Sequence, residues 1–337
     1  MRFVILGAGA VGGVVGARLH QAGFDVTLIA RGAHYDAIRR NGLRFETPVQ
    51  RVVLELSVHD DAGAIAWSAD HVALLAIKSQ DTAGALASLS AAVPWSLPVV
   101  CLQNGVENER LALRRFANVY GAVVMAPTAH LEPGVVQAYG SVLTGIIDVG
   151  RYPGGVDERC GAIAGALSAA NFSSEARADV MRLKYAKLIV NLGNAVHALC
   201  GNGPDSDELI TLARQEGRAA LRAAGIDCVA EEVDDVRGRW ERMQVRGIDG
   251  RERAGSSTWQ SLARGAGAIE TDYLNGEIAL LGRLHGVATP VNGALCELAD
   301  RVARVRGEPG QCSPQDVLAQ ARAGSMLGCG TVRSGSG

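Results

Sequence analysis

The first half of the chain alternates short, strongly apolar runs with helix-length stretches of mixed polarity. The apolar runs predict buried strands, and the helix-length gaps between them predict parallel pairing through right-handed crossovers. Strands are predicted over residues 2–7, 25–30, 70–77, 98–102, 118–125, 134–139 and 142–149. Helices are predicted over residues 11–22, 34–41 and 80–92. The pattern therefore indicates an α/β fold with an N-terminal Rossmann-type doubly wound sheet.

From about Ser173 onward, the pattern changes to longer stretches in which apolar residues recur at helical spacing. The charge-rich segment 229–254 is interpreted as a solvated helix face. These stretches predict a C-terminal all-helical domain. Its helices are predicted over residues 175–200, 207–224 and 268–285, the last of them ending at Gly286 as a C-terminal cap.

The change of pattern also predicts the domain boundaries. A chain of 337 residues is long enough for two domains. The predicted parts are a cofactor-binding domain at residues 1–172, a helical substrate and catalytic domain at 173–312, and a C-terminal segment at 313–337. This last segment ends in a Gly/Ser-rich tail that we expect to be flexible.

The composition indicates an ordinary globular protein and excludes several classes. Hydrophobic residues make up 48% of the chain and the net charge is −2, which disfavours disorder. Lysine and arginine total 33 against 35 acidic residues, without a basic stripe, so no nucleic-acid partner is expected. No uncharged apolar run approaches the roughly 20 residues of a membrane span. Seven scattered cysteines without a Cys-x-x-Cys pair argue against disulfides and structural zinc, so we expect a cytoplasmic protein without a bound metal.

A glycine-rich turn follows the first predicted strand and opens the first predicted helix. In a dinucleotide-binding turn, the first glycine allows the tight turn, the second lets a pyrophosphate approach the backbone, and the third lets helix and strand pack closely. The phosphates then lie at a helix N-terminus, where free N–H groups favour anions. The segment predicted to bind the cofactor comprises Gly7, Gly9, Ala10, Val11 and Gly12.

Arg31 follows the second predicted strand, where such folds contact the adenosine ribose. An acidic residue there accepts a hydrogen bond from the 2′-hydroxyl of NAD, whereas a cation accommodates the 2′-phosphate of NADP. The guanidinium has the donor geometry that a phosphate requires. The alternative is a surface cation at a strand end. Arg31 therefore predicts NADPH as the cofactor.

Two further polar residues follow predicted strands at the edge where ligands bind in doubly wound sheets. Lys78 follows the strand at 70–77, and Asn104 follows the strand at 98–102. The amide of Asn104 can donate and accept, so it could hold the nicotinamide end of a cofactor or a substrate group. The alternatives are a solvated loop lysine and an asparagine that merely closes a turn with Gly105.

A polar stripe interrupts an otherwise apolar helical stretch in the second half. Lys187, Asn191 and Asn194 are spaced i, i+4 and i+7, which places them on one face of a continuous helix. Burying such groups without partners costs a few kcal/mol each, so the stripe suggests a functional site. The alternative is a lysine on the solvent face.

Acidic and hydroxyl side chains further along the chain are candidates for substrate contacts. Glu270 competes with Asp272 and Glu277 as the functional acid, and spacing does not separate the three. The cluster that includes Ser257 and Thr258 is either a helix cap or a substrate-binding group of hydroxyls.

Taken together, several motifs resemble the ketopantoate reductase (2-dehydropantoate 2-reductase) family. They are GAGAVGG with Arg31, IKSQ, QNGVEN, KLIVN, and ETDYLNGEI followed by HGVATPVN, in order over roughly residues 1–300. The resemblance implies a Rossmann-type NADPH domain joined to a helical domain. It also implies reduction of the small 2-oxo acid 2-dehydropantoate to pantoate, a step of pantothenate biosynthesis.

The resemblance also implies roles for individual residues. The family's catalytic lysine corresponds to Lys187, and its glutamate corresponds to Glu270. The first substrate-binding asparagine corresponds to Asn191, and a substrate-binding hydroxyl is expected at Ser257 or Thr258. The remaining matches are the cofactor-proximal Asn104 and the 2′-phosphate cations Arg31 and Lys78.

The chain departs from the family pattern at two positions. A second substrate asparagine often occurs four residues after the first, but that position is Ala195 here, and Asn194 precedes it. An acidic residue that often follows the Ser-Ser run is replaced by Ser261. Alternative functions are therefore reduction of another 2-oxo acid, a ketone or an imine, or sensing of NADPH without turnover.

An apolar helical face of the second domain could also form a homodimer.

Overall fold

The computed structural model describes residues 1–228, 239–265 and 267–328, with residues 324–328 described by backbone only. The chain divides into two compact units. The first unit comprises Met1–Lys187 and Val229–Ala254, and the second comprises Leu188–Cys228 and Gly255–Gly337.

The first boundary between the units lies at Lys187 rather than at the predicted residue 172. Packing explains the difference, because Val180 and Leu183 form a buried cluster with Val123 of the first unit. The first turns of the helix predicted at 175–200, which the predicted boundary placed in the second domain, thus belong to the first unit.

The strands of the first unit form two sheets. The strands are β1 (Arg2–Leu6), β2 (Asp25–Ile29), β3 (Leu43–Glu46), β4 (Arg51–Leu54), β5 (Ser57–His59), β6 (His71–Leu75), β7 (Val99–Cys101), β8 (Val119–Met125), β9 (Thr128–Ala129), β10 (Val135–Ala138), β11 (Gly145–Arg151) and β12 (Phe172–Ser173). The main sheet has the order β12-β11-β8-β7-β6-β1-β2-β5, and the smaller sheet has the order β4-β3-β10-β9.

The main sheet is parallel except where β11 pairs antiparallel with β8. The prediction of parallel pairing is therefore wrong for β11. Between Met125 and Gly145 the chain forms β9 and β10 instead of a crossover helix, so it re-enters the sheet in the opposite direction.

The smaller sheet was only partly predicted. The segment 134–139 forms β10 of this sheet rather than a strand of the main sheet. Strands β3, β4 and β5 were not predicted, because each has only three or four residues with polar residues among the apolar ones. Short mixed segments of this kind take strand structure from their neighbours rather than from their own pattern.

Helices cover both faces of the main sheet. They are α1 (Ala10–Gln21), α2 (Gly32–Asn41), α3 (Thr82–Ala92), α4 (Asn108–Leu113) and α5 (Glu158–Ala169). Side chains alternate between the faces along a strand, and β1 shows this directly. Its Phe3 and Ile5 belong to a buried cluster with residues of α1 and α5, whereas Val4 and Leu6 belong to another with residues of α3 and α4.

The second unit is helical where the structure describes it. Its helices are α6 (Val180–Asn191), which begins in the first unit, α7 (Gly193–Cys200), α8 (Pro204–Ala223), α9 (Ser257–Ala263), α10 (Asn275–His285), α11 (Pro290–Arg304) and α12 (Pro314–Gly328). The predicted helix at 268–285 begins instead as a 3-10 turn over Glu270–Tyr273. Its predicted cap is confirmed, because Gly286 is left-handed with φ 69°. No described helix could cross a membrane.

The segment 229–254 differs from its interpretation as a solvated helix face. Residues 229–238 lie outside the described residues, but Arg239 is buried and pairs with Asp148 at 2.5 Å. Val245 forms an isolated antiparallel bridge with Gly140. The described part of the segment is therefore packed into the first unit. The predicted flexible tail beyond residue 328 lies outside the described residues.

Candidate active site

The glycine turn joins β1 to α1 with geometry that only glycine supplies. Gly7 has φ +102°, and a Cβ placed there would lie 2.8 Å from the backbone N of Ile77. A Cβ at Gly12 would lie 2.0 Å from the carbonyl O of Gly7, so α1 can approach β1 only without a side chain. A Cβ at Gly9, by contrast, would meet no atom within 4 Å. The turn thus has no room for side chains at Gly7 and Gly12, whereas the space beside Gly9 and the first N–H groups of α1 is open.

His34 holds this turn through both of its ring nitrogens, a role that no sequence pattern predicts. His34 Nε2 lies 2.7 Å from the carbonyl O of Ala8, and the backbone N–H of Gly134 donates to His34 Nδ1 at 2.8 Å. Nδ1 is therefore the acceptor and Nε2 is the donor of a neutral ring. Burial lowers the pKa of His34. The ring of His130 lies beside it, tilted by 47° with the ring centroids 4.1 Å apart.

Arg31 is exposed just after β2, where it is the residue that precedes α2. It lines an open cavity with Gly32, Tyr35, Asp36, Asp60 and Asp61. Asp60 and Asp61 directly follow β5, the neighbour of β2 in the sheet. The guanidinium therefore faces a cavity that also contains carboxylates.

The strand order brings the predicted cofactor residues together at one edge of the main sheet. The parallel strands β7, β6, β1 and β2 are consecutive neighbours, so their carboxyl ends lie at the same edge with neighbouring strands about 4.8 Å apart. Along this edge follow, in order, Asn104, Lys78, the glycine turn and Arg31.

A buried polar network joins the loop after β6 to the loop after β7. The Asn108 amide donates to Ser79 Oγ at 3.0 Å and to the carbonyl O of Asn104 at 3.1 Å. Thr82 Oγ1 donates to Asn108 Oδ1 at 2.8 Å and accepts from the Gln103 amide at 3.0 Å. These bonds fix the backbone on which Lys78 and Asn104 are carried.

Lys187 contacts Asn104 in the loop after β7, a pairing that the motifs did not predict. Its Nζ donates to Asn104 Oδ1 at 2.8 Å and also to the carbonyl O of Val124, at the end of β8. The ammonium is half-buried. Because an ammonium only donates, the amide oxygen of Asn104 faces it and the amide NH₂ remains a donor. The Lys187 ammonium thus lies beside the loop that ends at the same edge of the sheet as the glycine turn.

A second lysine of α6 forms an ion pair that sequence reasoning missed. Lys184 and Glu109 are both fully buried, with 2.5 Å between Nζ and Oε1. Lys184 Nζ also donates to the carbonyl O of Gln103 at 3.0 Å. Burial raises the pKa of Glu109, and the neighbouring Lys184 ammonium opposes that rise.

The predicted helix at 175–200 is divided at Leu192. Helix α6 ends at Asn191 and α7 begins at Gly193, while Leu192 itself keeps right-handed helical torsions with φ −59° and ψ −26°. The carbonyl O of Leu192 at the break accepts a hydrogen bond from the Asn275 amide at 3.1 Å. The position of Asn194 on the face of Lys187 and Asn191 stays a prediction.

The cluster of hydroxyls combines capping and buried positions. Ser256 is the helix cap, because its Oγ accepts from the backbone N–H of Trp259 at 3.2 Å, and it donates to the carbonyl O of Asn194 at 3.3 Å. Ser257 is half-buried, whereas Thr258 is buried. The structure thus places Ser257 and Thr258 in α9, directly after the cap.

Burial separates the three acidic candidates of the second unit. Glu270 is 8% exposed, whereas Asp272 is exposed and Glu277 is half-buried. A carboxylate is buried only at a cost, which favours Glu270 as the acid with a role beyond solvation. Within the described ranges, no group of three or more His, Cys, Asp or Glu residues could hold a metal ion.

Comparisons with known proteins agree with the motif resemblance. The family model described as "Ketopantoate reductase PanE/ApbA" matches residues 3–154, and the model "Ketopantoate reductase PanE/ApbA C terminal" matches residues 179–303. A 2-dehydropantoate 2-reductase from Mesorhizobium japonicum is 30% identical over 335 residues, which covers 91% of this chain and 99% of the relative. The Archaeoglobus fulgidus enzyme of the same name is 30% identical over 305 residues, with 88% and 96% covered.

Solved structures show the same similarity. The crystal structure of a PanE/ApbA family ketopantoate reductase from Ralstonia eutropha has a TM-score of 0.76 and 31% identity, covering 91% of this chain and 99% of that one. A D-mandelate dehydrogenase with NADH and anilino(oxo)acetate has a TM-score of 0.74 at 22% identity, covering 96% and 99%. This second similarity concerns the fold alone.

Proposed function

The chain belongs to the ketopantoate reductase family, and on that premise we propose that it reduces 2-dehydropantoate to pantoate with NADPH. It is an oxidoreductase with a nicotinamide cofactor. The observation that carries the proposal is the contact between Lys187 Nζ and Asn104 Oδ1. It lies at the sheet edge that also carries the glycine turn and Arg31.

The residues along this edge fit a dinucleotide. The open position at Gly9 and the N-terminus of α1 suit the pyrophosphate. Arg31 suits the 2′-phosphate on one side of the turn, and Lys78 supplies a second cation on the other side. Asp36, Asp60 and Asp61 share the cavity with Arg31 and weaken the attraction of the cavity for a phosphate. Arg31 is the cation among these lining residues, so the proposed preference for NADPH over NADH depends on it.

Lys187 is the proposed proton donor. The reduced nicotinamide supplies the hydride that adds to the carbonyl carbon of the substrate. As the C–O double bond becomes single, negative charge develops on the oxygen, and the Lys187 ammonium stabilises this charge and transfers a proton to it. The product is a 2-hydroxy acid, and the neutral amine regains its proton from solvent. Asn104 and the carbonyl of Val124 hold the ammonium in place.

Residues of the second unit are proposed to bind the substrate. Asn191 would donate or accept through its amide, and Ser257 or Thr258 would contact the substrate carboxylate. Glu270 would accept a hydrogen bond from a substrate hydroxyl. Asn194 supplies a further amide.

One observation keeps a second substrate class open. Where the family often has a second asparagine, this chain has the buried Ala195, and the amide lies one residue earlier at Asn194. One residue on a helix turns the side chain by about 100°, so the amide would meet a different part of the substrate. Another 2-oxo acid, a ketone or an imine is the alternative substrate.

The test is NADPH oxidation with 2-dehydropantoate, run beside NADH and a panel of other 2-oxo acids. We expect turnover that is faster with NADPH, and at least about 100-fold slower turnover in Lys187→Ala, because a positioned acid contributes on that scale. Cofactor binding by Lys187→Ala, followed by fluorescence, serves as the control for folding. Near-normal turnover by Lys187→Ala would contradict the assigned proton donor. Tight NADPH binding without turnover of any carbonyl substrate would leave a sensor.

A further inference from the structure

Lysine is rare in this chain although basic residues are not. Thirty of the 33 basic residues are arginines, and the lysines are Lys78, Lys184 and Lys187. Arginine and lysine are not interchangeable, because an ammonium is compact and loses its proton far more readily than a guanidinium. Lys187 and Lys78 have places in the proposed reaction, whereas Lys184 has none so far.

Lys184 and Lys187 hold neighbouring residues of one loop. They are three residues apart on α6, and therefore on one side of the helix. Lys184 Nζ donates to the carbonyl O of Gln103, and Lys187 Nζ donates to the side chain of Asn104. The loop after β7 is thus held by two ammonium groups of the same helix.

Glu109 contacts Lys184 from α4. It lies on α4, which follows the same loop, and its carboxylate is 2.5 Å from Lys184 Nζ with neither side chain exposed by more than 3%. The neutral network around Asn108 ties the loop to the segment after β6. The ion pair ties α4, which follows the loop, to α6.

Stability alone does not account for a pair of this kind. Removing two charges from water costs about as much as their attraction returns, and well-packed apolar residues often replace a buried pair without loss. An apolar contact, however, would not fix the rotation of α6 against the loop as a directed hydrogen bond to Gln103 does.

We propose that Lys184 and Glu109 are positioning residues: their buried ion pair fixes α6 against the Gln103–Asn104 loop and so keeps the Lys187 ammonium at Asn104 Oδ1. The inference rests on the proposed function, since Lys187 is there the proton donor. The pair touches neither substrate nor cofactor in this assignment and acts only through Lys187.

The pair also balances charge beside the proton donor. Titratable groups beside it are Cys101 on β7, Glu107 directly before α4, and Tyr152, which also lies near Arg110 of α4. Glu109→Gln keeps the size of the side chain but leaves the charge of Lys184 without its partner. A nearby cation without its counter-ion disfavours the ammonium form of a neighbouring lysine, so Lys187 would then lose its proton at lower pH.

The test uses Lys184→Met/Glu109→Leu, which replaces the pair by apolar groups, and Glu109→Gln as a second variant that preserves packing. We expect the double variant to unfold at a similar temperature and to bind NADPH as the parent does. Its kcat should fall by about 10- to 100-fold, because small displacements of a reacting group have effects of this size. The KM for the substrate should change far less than kcat. In Glu109→Gln, the basic limb of the kcat profile should move to lower pH.

The matched control is Arg239→Met/Asp148→Leu, which removes another fully buried ion pair of the same unit. This control should leave kcat near that of the parent, whatever its effect on the unfolding temperature. An unchanged kcat and pH profile in both pair variants would overturn the positioning role. A fall in kcat that Arg239→Met/Asp148→Leu reproduces would do the same.

A spectroscopic readout separates this inference from the proposed function. With only three lysines, isotope labelling of lysine gives few side-chain signals, and Lys187→Arg identifies that of Lys187. Replacing the pair should shift the Lys187 signal and its titration, whereas the control variant should not. If the parent reduces no carbonyl substrate but this shift occurs, the proposed function fails and the positioning stands. An unshifted Lys187 signal overturns the positioning whatever the activity.

Discussion

His34 connects the glycine turn to the smaller sheet through its two ring nitrogens. Nε2 donates to the carbonyl O of Ala8, and Nδ1 accepts from the N–H of Gly134. A proton added at Nδ1 would point at that N–H and remove the second bond. Burial, the larger cause, already lowers the pKa of His34 in the folded protein. The neutral ring is therefore part of the structure that holds the glycine turn open at Gly9, where we propose that the cofactor binds.

This arrangement predicts a loss of stability at acidic pH. Because the folded state binds the proton less readily than the unfolded chain, the free energy of unfolding should decrease as pH falls below about 6.5, the ordinary histidine pKa. The decrease should level off below the folded-state pKa. Denaturant unfolding at a series of pH values measures it, and NADPH affinity should weaken only at the lower pH at which His34 of the folded protein takes up a proton. His34→Gln should flatten this part of the profile, and an unchanged profile in that variant would refute the assignment.

At the residue scale, local chemistry was predictable and long-range pairing was not. The roles of Gly7 and Gly12 follow from the steric needs of a turn between strand and helix, and the structure confirms that side chains would clash there. The pair of Lys184 and Glu109 joins residues 75 positions apart in sequence. No spacing rule connects such positions, because the sheet rather than the local chain brings them together.

At the scale of elements, the long buried strands were predictable for a physical reason. Strands β1, β2, β6 and β8 lie inside a sheet covered on both faces, so nearly every side chain is apolar and the pattern is visible without alignment. The direction of β11 was predicted wrongly, because parallel pairing was extended to a strand that no predicted helix precedes.

The break between α6 and α7 was not predictable either, because no proline marks it. A side chain of Gly193 would press on Ile210, with contacts of 3.3 Å, and Asn275 binds the carbonyl O of Leu192. The Asn275 amide also donates to Asn292 Oδ1 at 3.0 Å. The break is thus set by residues of other helices that no local pattern reveals.

Asn275→Ala should therefore destabilise the protein at this break. It leaves the buried acceptors of Leu192 and Asn292 without a donor, which costs about 1–3 kcal/mol. Denaturant unfolding measures the change. Asn118→Ala is the matched control, because the Asn118 amide also donates to a backbone carbonyl, that of Ser96 at 2.7 Å, but at an exposed site. Equal losses in the free energy of unfolding would show that the buried hydrogen bond at Leu192 stabilises the protein no more than an exposed one does.

At the scale of the whole molecule, the chain contributes to the first unit twice. After helices of the second unit, the segment within 229–254 returns to the first unit. Its described part pairs with the main sheet through Arg239 and Asp148, and it lies beside the smaller sheet through the bridge between Val245 and Gly140. Composition suggested solvation for this segment, since charge content alone does not show which charges find buried partners.

The buried Arg239 side chain should carry much of the attachment of this segment. Arg239→Met leaves the Asp148 carboxylate buried without its cation, and breaking a buried pair in this way costs about 3–5 kcal/mol. Asp148 keeps a hydrogen bond from the backbone N–H of Glu175, so the lower part of that range is expected. Loss of this attachment should make the amides of the segment exchange faster, while those of β1 and β6 stay protected. Hydrogen exchange followed by mass spectrometry resolves the two regions. Uniformly faster exchange throughout the first unit would instead show that the pair stabilises the sheet itself and that the segment has no separate attachment.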